Sequence, residues 1–154
     1  MPTTKPDVLT ALFPDEPDLK GAAEQLGPGA IPYLVELVNG PDLHLASRAA
    51  LLAGWLDSSG SVEVLERAST RSEPAVRVAA AVGAGKLRRP PTHLVVSLLE
   101  DPDPGVRKWA IKSAAHVRGA EVNERIRQIA DSDPESWIRS LAASHKHGAD
   151  SGFS

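Results

Sequence analysis

Five histidines, His44, His93, His116, His145 and His147, are the side chains of this 154-residue chain best suited to holding a metal or passing a proton. Only His145 and His147 are close in sequence, and residues two apart on a helix point to different sides, so a shared metal is not expected. There is no cysteine, which removes disulfides, thiolate zinc sites and cysteine nucleophiles together and fits a reducing compartment. No Ser/His/Asp set stands at the spacing of a nucleophile elbow. Gly83 and Gly85 come nearest to a phosphate-binding glycine motif, but they sit in an alanine-rich stretch that reads as helix interior, whereas such loops need a strand-to-helix turn. The acidic residues are many, yet no spacing singles out a pair for acid/base work. The expectation is a protein with no catalytic residue, no metal and no cofactor.

What positions these residues is a repeat. The segment Leu45 to Leu56, LASRAALLAGWL, aligns without a gap on Val76 to Leu87, VRVAAAVGAGKL, 31 residues later. The frame continues at Val106 to Val117 after 30 more residues and at Ile138 after another 32. The columns Leu45, Val76, Val106, Ile138 and Ala49, Ala80, Ala110, Ala142 are four residues apart, as one helix face requires. A preceding helix shows its own columns: Leu34, Leu65, Val95, Ile126 and Leu37, Ala68, Leu98, Ile129. A fixed period of this size marks a solenoid, in which each unit is one supersecondary element.

Turn signals separate the helices at Gly40-Pro41-Asp42, Ser72-Glu73-Pro74, Asp101-Pro102-Asp103-Pro104 and Asp131-Ser132-Asp133-Pro134. Aspartate can cap the new helix while proline takes its first position. The spacing predicts helices over 31–39, 42–56, 61–69, 73–87, 91–100, 103–117, 121–131 and 134–146. A degenerate pair, about 6–13 and 17–26, precedes them as an N-terminal cap. The expected fold class is all-α, a right-handed α-α superhelix of about five helix pairs. Its domain spans residues 6–147, with residues 1–5 disordered and 148–154 a flexible C-terminal tail. The start of the chain lacks a signal-peptide run and no stretch of 18 apolar residues occurs, so a cytoplasmic protein without a membrane span is expected.

The strings Asp103-Pro104-Gly105-Val106-Arg107 with Ala110, and Glu73-Pro74-Ala75-Val76-Arg77 with Ala80, resemble the Asp-x-x-Val-Arg-x-x-Ala signature of the second helix in HEAT repeats. The likeness covers roughly residues 30 to 147. With a period near 31 it is similar to the compact HEAT-like repeats of bacterial proteins and phycobilin lyases. The resemblance implies a superhelical scaffold whose second helices line a concave, protein-binding surface. It also implies an Asp/Arg ladder between repeats, through the columns Asp42, Glu73, Asp103, Asp133 and Arg77, Arg107, Arg139. Ala46 stands where an arginine is expected and leaves the first rung open. HEAT-like di-iron hydroxylases draw ligands from paired His-Glu motifs, and no histidine here is followed by glutamate.

The outer face of the second helices carries the functional expectation. Stepping about 100° per residue from Val76 puts Val78, Val82, Ala81 and Gly85 opposite the core, where an amphipathic helix should be charged. Stacking repeats would then form an apolar strip of Leu51, Val78, Val82 and Ile111, bordered by Lys108 and Lys112, with Trp55 and Trp109 on its shoulder. Contiguous exposed apolar surface marks a binding site. The reading is a non-catalytic interaction module for a partner protein or peptide, acidic or amphipathic, with oligomeric state open. The alternative is nucleic-acid binding through Lys86, Arg88, Arg89, Lys108, Lys112, Arg118 and Lys146. Those residues cluster on or just after second helices, while Glu36, Glu63, Glu66, Glu121 and Glu124 lie on first helices. A net charge of -3 and the apolar centre of the strip argue against it, because phosphate contacts need a basic track.

Overall fold

The computed structural model of the protein describes residues 2–151, with side chains for all of them except residues 116 and 146–151. Among these residues there are ten α-helices and no strand. They form five consecutive pairs: α1 (Lys5–Leu12) with α2 (Leu19–Leu26), α3 (Ile31–Val38) with α4 (Leu43–Leu56), α5 (Ser61–Ser69) with α6 (Pro74–Ala84), α7 (Thr92–Leu99) with α8 (Pro104–Ser113), and α9 (Ala120–Ser132) with α10 (Ser136–Ser151). The second helices form a row, α2 against α4, α4 against α6, α6 against α8 and α8 against α10. One core runs through the stack from Val8 and Leu12 to Ile138 and Ala142. None of the helices is long and apolar enough to cross a membrane.

Local chemistry sets the helix ends. Asp42 accepts from the Leu45 amide to cap α4, and Asp103 accepts from Gly105 and Val106 to cap α8, each satisfying donors that the first turn leaves open. Proline opens α6 and α8, where its missing N–H costs no hydrogen bond. Gly27, with φ of 65°, closes α2 in a conformation that a side chain would disfavour.

Four boundaries differ from the sequence reading. The helices expected to reach 87 and 117 stop at Ala84 and Ser113. Beyond them the chain tightens into shorter-range bonds, Lys86 N–H to Gly83 O at 3.0 Å and Val117 N–H to Ala114 O at 3.0 Å, as helix ends do when carbonyls lack partners. At the N-terminus, Thr4 caps α1 reciprocally with Asp7 and the Thr3 hydroxyl donates to Leu26 O at 2.6 Å, so residues expected to be disordered join the first pair. Those bonds draw the Asp7 carboxyl below its ordinary value. At the other end α10 continues to Ser151, four residues into the expected tail; residues 152–154 lie outside the described residues.

The second helices can stack this closely because small residues meet where they cross. A Cβ added at Gly54 would lie 2.3 Å from the Gly83 carbonyl oxygen, and one at Gly83 would lie 2.8 Å from Ala50 O, so the α4 and α6 backbones are in direct contact. Between α6 and α8 the Ser113 hydroxyl donates to Ala81 O at 2.6 Å, a buried bond across the same seam. Gly83 and Gly85, the nearest approach to a phosphate motif in the sequence, therefore serve packing.

The arginine column forms a ladder, but its carboxylates are Asp101 and Asp133; of the expected acidic column, Asp42 and Asp103 are spent capping helices and Glu73 pairs with Arg71. Arg77 binds Asp101 through Nε at 2.8 Å and Nη2 at 3.2 Å while donating to the carbonyls of Arg71 and Ser72. Arg107 repeats this with Asp133 and the carbonyls of Asp101 and Pro102, and Arg139 donates to Asp133 O. The rung that Ala46 left open is filled from the other side: Arg71, in the next turn, donates to Val38 O and Gly40 O at 2.9 and 2.8 Å and pairs with Glu73. That guanidinium holds the Glu73 carboxyl below its ordinary value. Arg48 secures the cap pair through the carbonyls of Leu12, Pro14 and Asp15.

Candidate functional site

The site is built on α4, α6 and α8, whose backbones the glycine and alanine seam fixes relative to one another. Leu51, Val78 and Val82, expected on the outer face, are half-buried. Leu51 and Val78 rest against the core at their inner edges. Val78 reaches the next repeat, where a Cβ at Gly105 would lie 3.9 Å from its methyl group. Val82 is half-buried but is not packed against the core cluster.

Ile111 does not belong to this face. It is 1 % exposed and sits in the core, as do its counterparts Ala81 and Ala50 one and two repeats earlier. A helix in the middle row of a solenoid is covered on two sides, by its own partner helix and by the adjacent second helices, so its buried arc is wider than one amphipathic face.

Trp55 and Trp109 both carry lysines. Trp55, 37 % exposed at the end of α4, has the Lys86 ammonium 4.6 Å from its ring centre. Trp109 is half-buried on α8, with Lys108 at 5.2 Å and Lys112 at 5.0 Å from its ring. These distances are within the reach of cation–π attraction. The rings hold the ammonium groups close to the surface rather than leaving them to sweep through solvent.

Of two further members of this surface, Lys86 entered the sequence reading only through the nucleic-acid alternative and Trp137 was not singled out. Lys86 stands 31 residues after Trp55, one repeat on in the same column, and that register places the two side by side. Trp137, 47 % exposed, falls one position before Ile138, in the column of His44, Ala75 and Gly105 at the opening of the second helices.

The remaining basic residues are disposed differently. Arg88 pairs with Asp57 at 2.9 Å, Arg89 is exposed, and the Lys146 side chain lies outside the described residues. Among the histidines, His93 meets Glu66 at 3.1 Å on first helices, His44 is exposed at the start of α4, and His147 is outside the described side chains. His145 has a buried Nε2 without a hydrogen-bond partner, and desolvation lowers its pKa against the raising effect of a hydrogen bond with the Ala114 backbone. Among the described residues no group of three His, Asp or Glu could hold a metal ion.

Comparison with known proteins places this geometry. A family model described as HEAT repeats matches residues 63–145. No curated protein matches the chain. Among solved structures, the complex of CpcE and CpcF of phycocyanin lyase from Nostoc sp. PCC7120 is similar, with a TM-score of 0.73 and 19% sequence identity over 92% of this chain and 97% of that one. At that identity the likeness is one of fold.

Proposed function

The chain belongs to the HEAT-repeat family, and on that premise we propose that it is a non-catalytic scaffold that binds a partner protein or peptide on the concave face formed by α4, α6 and α8. The observation that carries the reading is the half-buried row Leu51, Val78 and Val82 beside the exposed ring of Trp55, on the side of the second helices turned from the core. Apolar side chains grouped there leave area that a partner would desolvate. The similar solved structure is itself a complex of two proteins, which supports a protein as the partner. The ionic columns are occupied in holding turns together: Asp101, Asp133, Arg77 and Arg107 bind one another and backbone carbonyls. This leaves them a structural part rather than a chemical one.

The test is capture from an extract of the source cells on the immobilised full chain, beside a Trp55→Ala/Val82→Ser variant whose melting temperature is unchanged. A partner retained by the native chain and lost by the variant supports the concave face. Equal retention by both would move the binding surface to the first helices or the turns. Duplex DNA binding that weakens steeply with salt would instead favour the nucleic-acid alternative.

A further inference from the structure

Acidic residues are sorted away from the central second helices. α4, α6 and α8 contain no aspartate or glutamate, although the chain as a whole has 20 acidic residues against 17 lysines and arginines. Several acidic residues of the first helices have a basic partner there: Glu36 has Lys5, Glu63 has Arg67, Glu124 has Arg127, and Glu66 meets the His93 ring. The arginines of the second helices are engaged too, Arg48, Arg77 and Arg107 each donating to turn carbonyls. Three cations on this layer, Lys86, Lys108 and Lys112, have no carboxylate partner among the described residues and rest over Trp55 and Trp109.

We propose that the face formed by these helices selects a segment that is acidic as well as apolar, its carboxylates engaging Lys86, Lys108 and Lys112 while its apolar side chains cover Leu51, Val78 and Val82. This rests on the reading of that face as the docking surface. The charge complement follows from the sorting. In a net-negative chain, three adjacent helices without carboxylates of their own offer little repulsion to an incoming acid, and Lys86, Lys108 and Lys112 have no salt bridge to break among the described residues. The rings restrain the ammonium groups, which lowers the cost of ordering them on binding. The apolar row discriminates against a polyphosphate backbone, which needs cations along its whole track and gains nothing from covering Leu51 or Val82.

The experiment selects a displayed library of random peptides about 16 residues long, roughly 24 Å as a helix, against the full chain. The recovered peptides are then titrated, followed by tryptophan fluorescence, against the native chain, a Lys86→Gln/Lys108→Gln/Lys112→Gln variant and a Val82→Ser variant. The expected pool has more Asp and Glu than Lys and Arg, with apolar residues at helical spacing. Its members should lose about tenfold or more in affinity on the triple-lysine variant and weaken as salt is added. A pool without acidic excess, or one that binds the triple variant as well as the native chain, overturns the charge inference. If that pool still loses affinity on Val82→Ser, the docking face stands without it. If neither variant changes binding, or no peptide is enriched over a blank surface, both readings fall. A duplex of similar length bound more tightly than the peptides, and lost in the triple variant, would reassign the lysines to nucleic acid.

Discussion

Arg107 and Asp133 hold each other in a two-pronged pair, Nε to Oδ2 at 2.7 Å and Nη2 to Oδ1 at 2.9 Å, with side chains 10% and 3% exposed. A pair this buried is strongly asymmetric in its response to mutation, because removing one partner strands the other charge away from water. Arg107→Met should therefore destabilise the fold by about 3–5 kcal/mol in urea melts. Removing the exposed pair by Arg67→Met should change stability by less than about 1 kcal/mol. Similar losses for the two variants would show that the ladder contributes no more than a surface pair.

The glycine seam makes a second prediction. Gly54→Ala places a methyl group 2.3 Å from Gly83 O, which only a backbone shift between α4 and α6 can relieve, and overpacking of this kind costs about 1–3 kcal/mol or more. Ala110→Leu, at a position 1% exposed in the core, should cost a similar about 1–3 kcal/mol. Gly119→Ala meets no neighbouring atom within 4 Å and should be neutral or stabilising by up to about 1 kcal/mol. Calorimetry of the three variants checks the order; a native-like Gly54→Ala melt would mean the helices can part without cost.

A third prediction separates core from docking face. Ile111→Ala should destabilise by about 2–5 kcal/mol through the cavity it leaves. Val82→Ser, outside the packed core, should stay within about 0.5 kcal/mol of the native chain. The same Val82→Ser should cost more than about 1 kcal/mol in partner affinity if it is an anchor. A large loss of stability at Val82 would place it in the core with Ile111.

Acid should loosen the last helix pair. Burial lowers the His145 pKa below its ordinary value of about 6.5, so below that value the unfolded chain takes up a proton that the folded chain resists. Stability from this group is full above about pH 6.5 and is lost as the pH falls through the folded value. His145→Gln should remove this part of the acid sensitivity between about pH 7 and pH 5. Amide exchange on α10 provides the local measurement; an unchanged slope in the variant would assign the sensitivity elsewhere.

Columns of like residues, Leu34 with Leu65 and Val95 or Val76 with Val106, revealed the helix pairs because each unit repeats one solution to the same packing problem. They also contained the Trp55–Lys86 contact, since equal positions in adjacent repeats are neighbours in space. Ile111 was misassigned because a wheel drawn for one helix knows only one buried side, whereas the lateral contact that buries Ala50, Ala81 and Ile111 exists only in the stack. Arg71 was equally hidden. Its role depends on Ala46 being absent from the ladder and on carbonyls of a turn 31 to 33 residues away, a relation that no column of side chains displays.

The arginine clamps grip the turns largely by their peptide oxygens: Leu12, Pro14 and Asp15 for Arg48, Val38 and Gly40 for Arg71, Asp101 and Pro102 for Arg107. A peptide oxygen is the same whatever amino acid contributes it. The turns can therefore differ in composition, as Gly40-Pro41 and Pro102-Asp103 do, without loosening the joint, and the guanidinium arrives from either side of it. Such a joint tolerates exchange: a unit could be duplicated, deleted or drawn from another array, provided its turn offers carbonyls at the right height and its neighbour supplies one arginine.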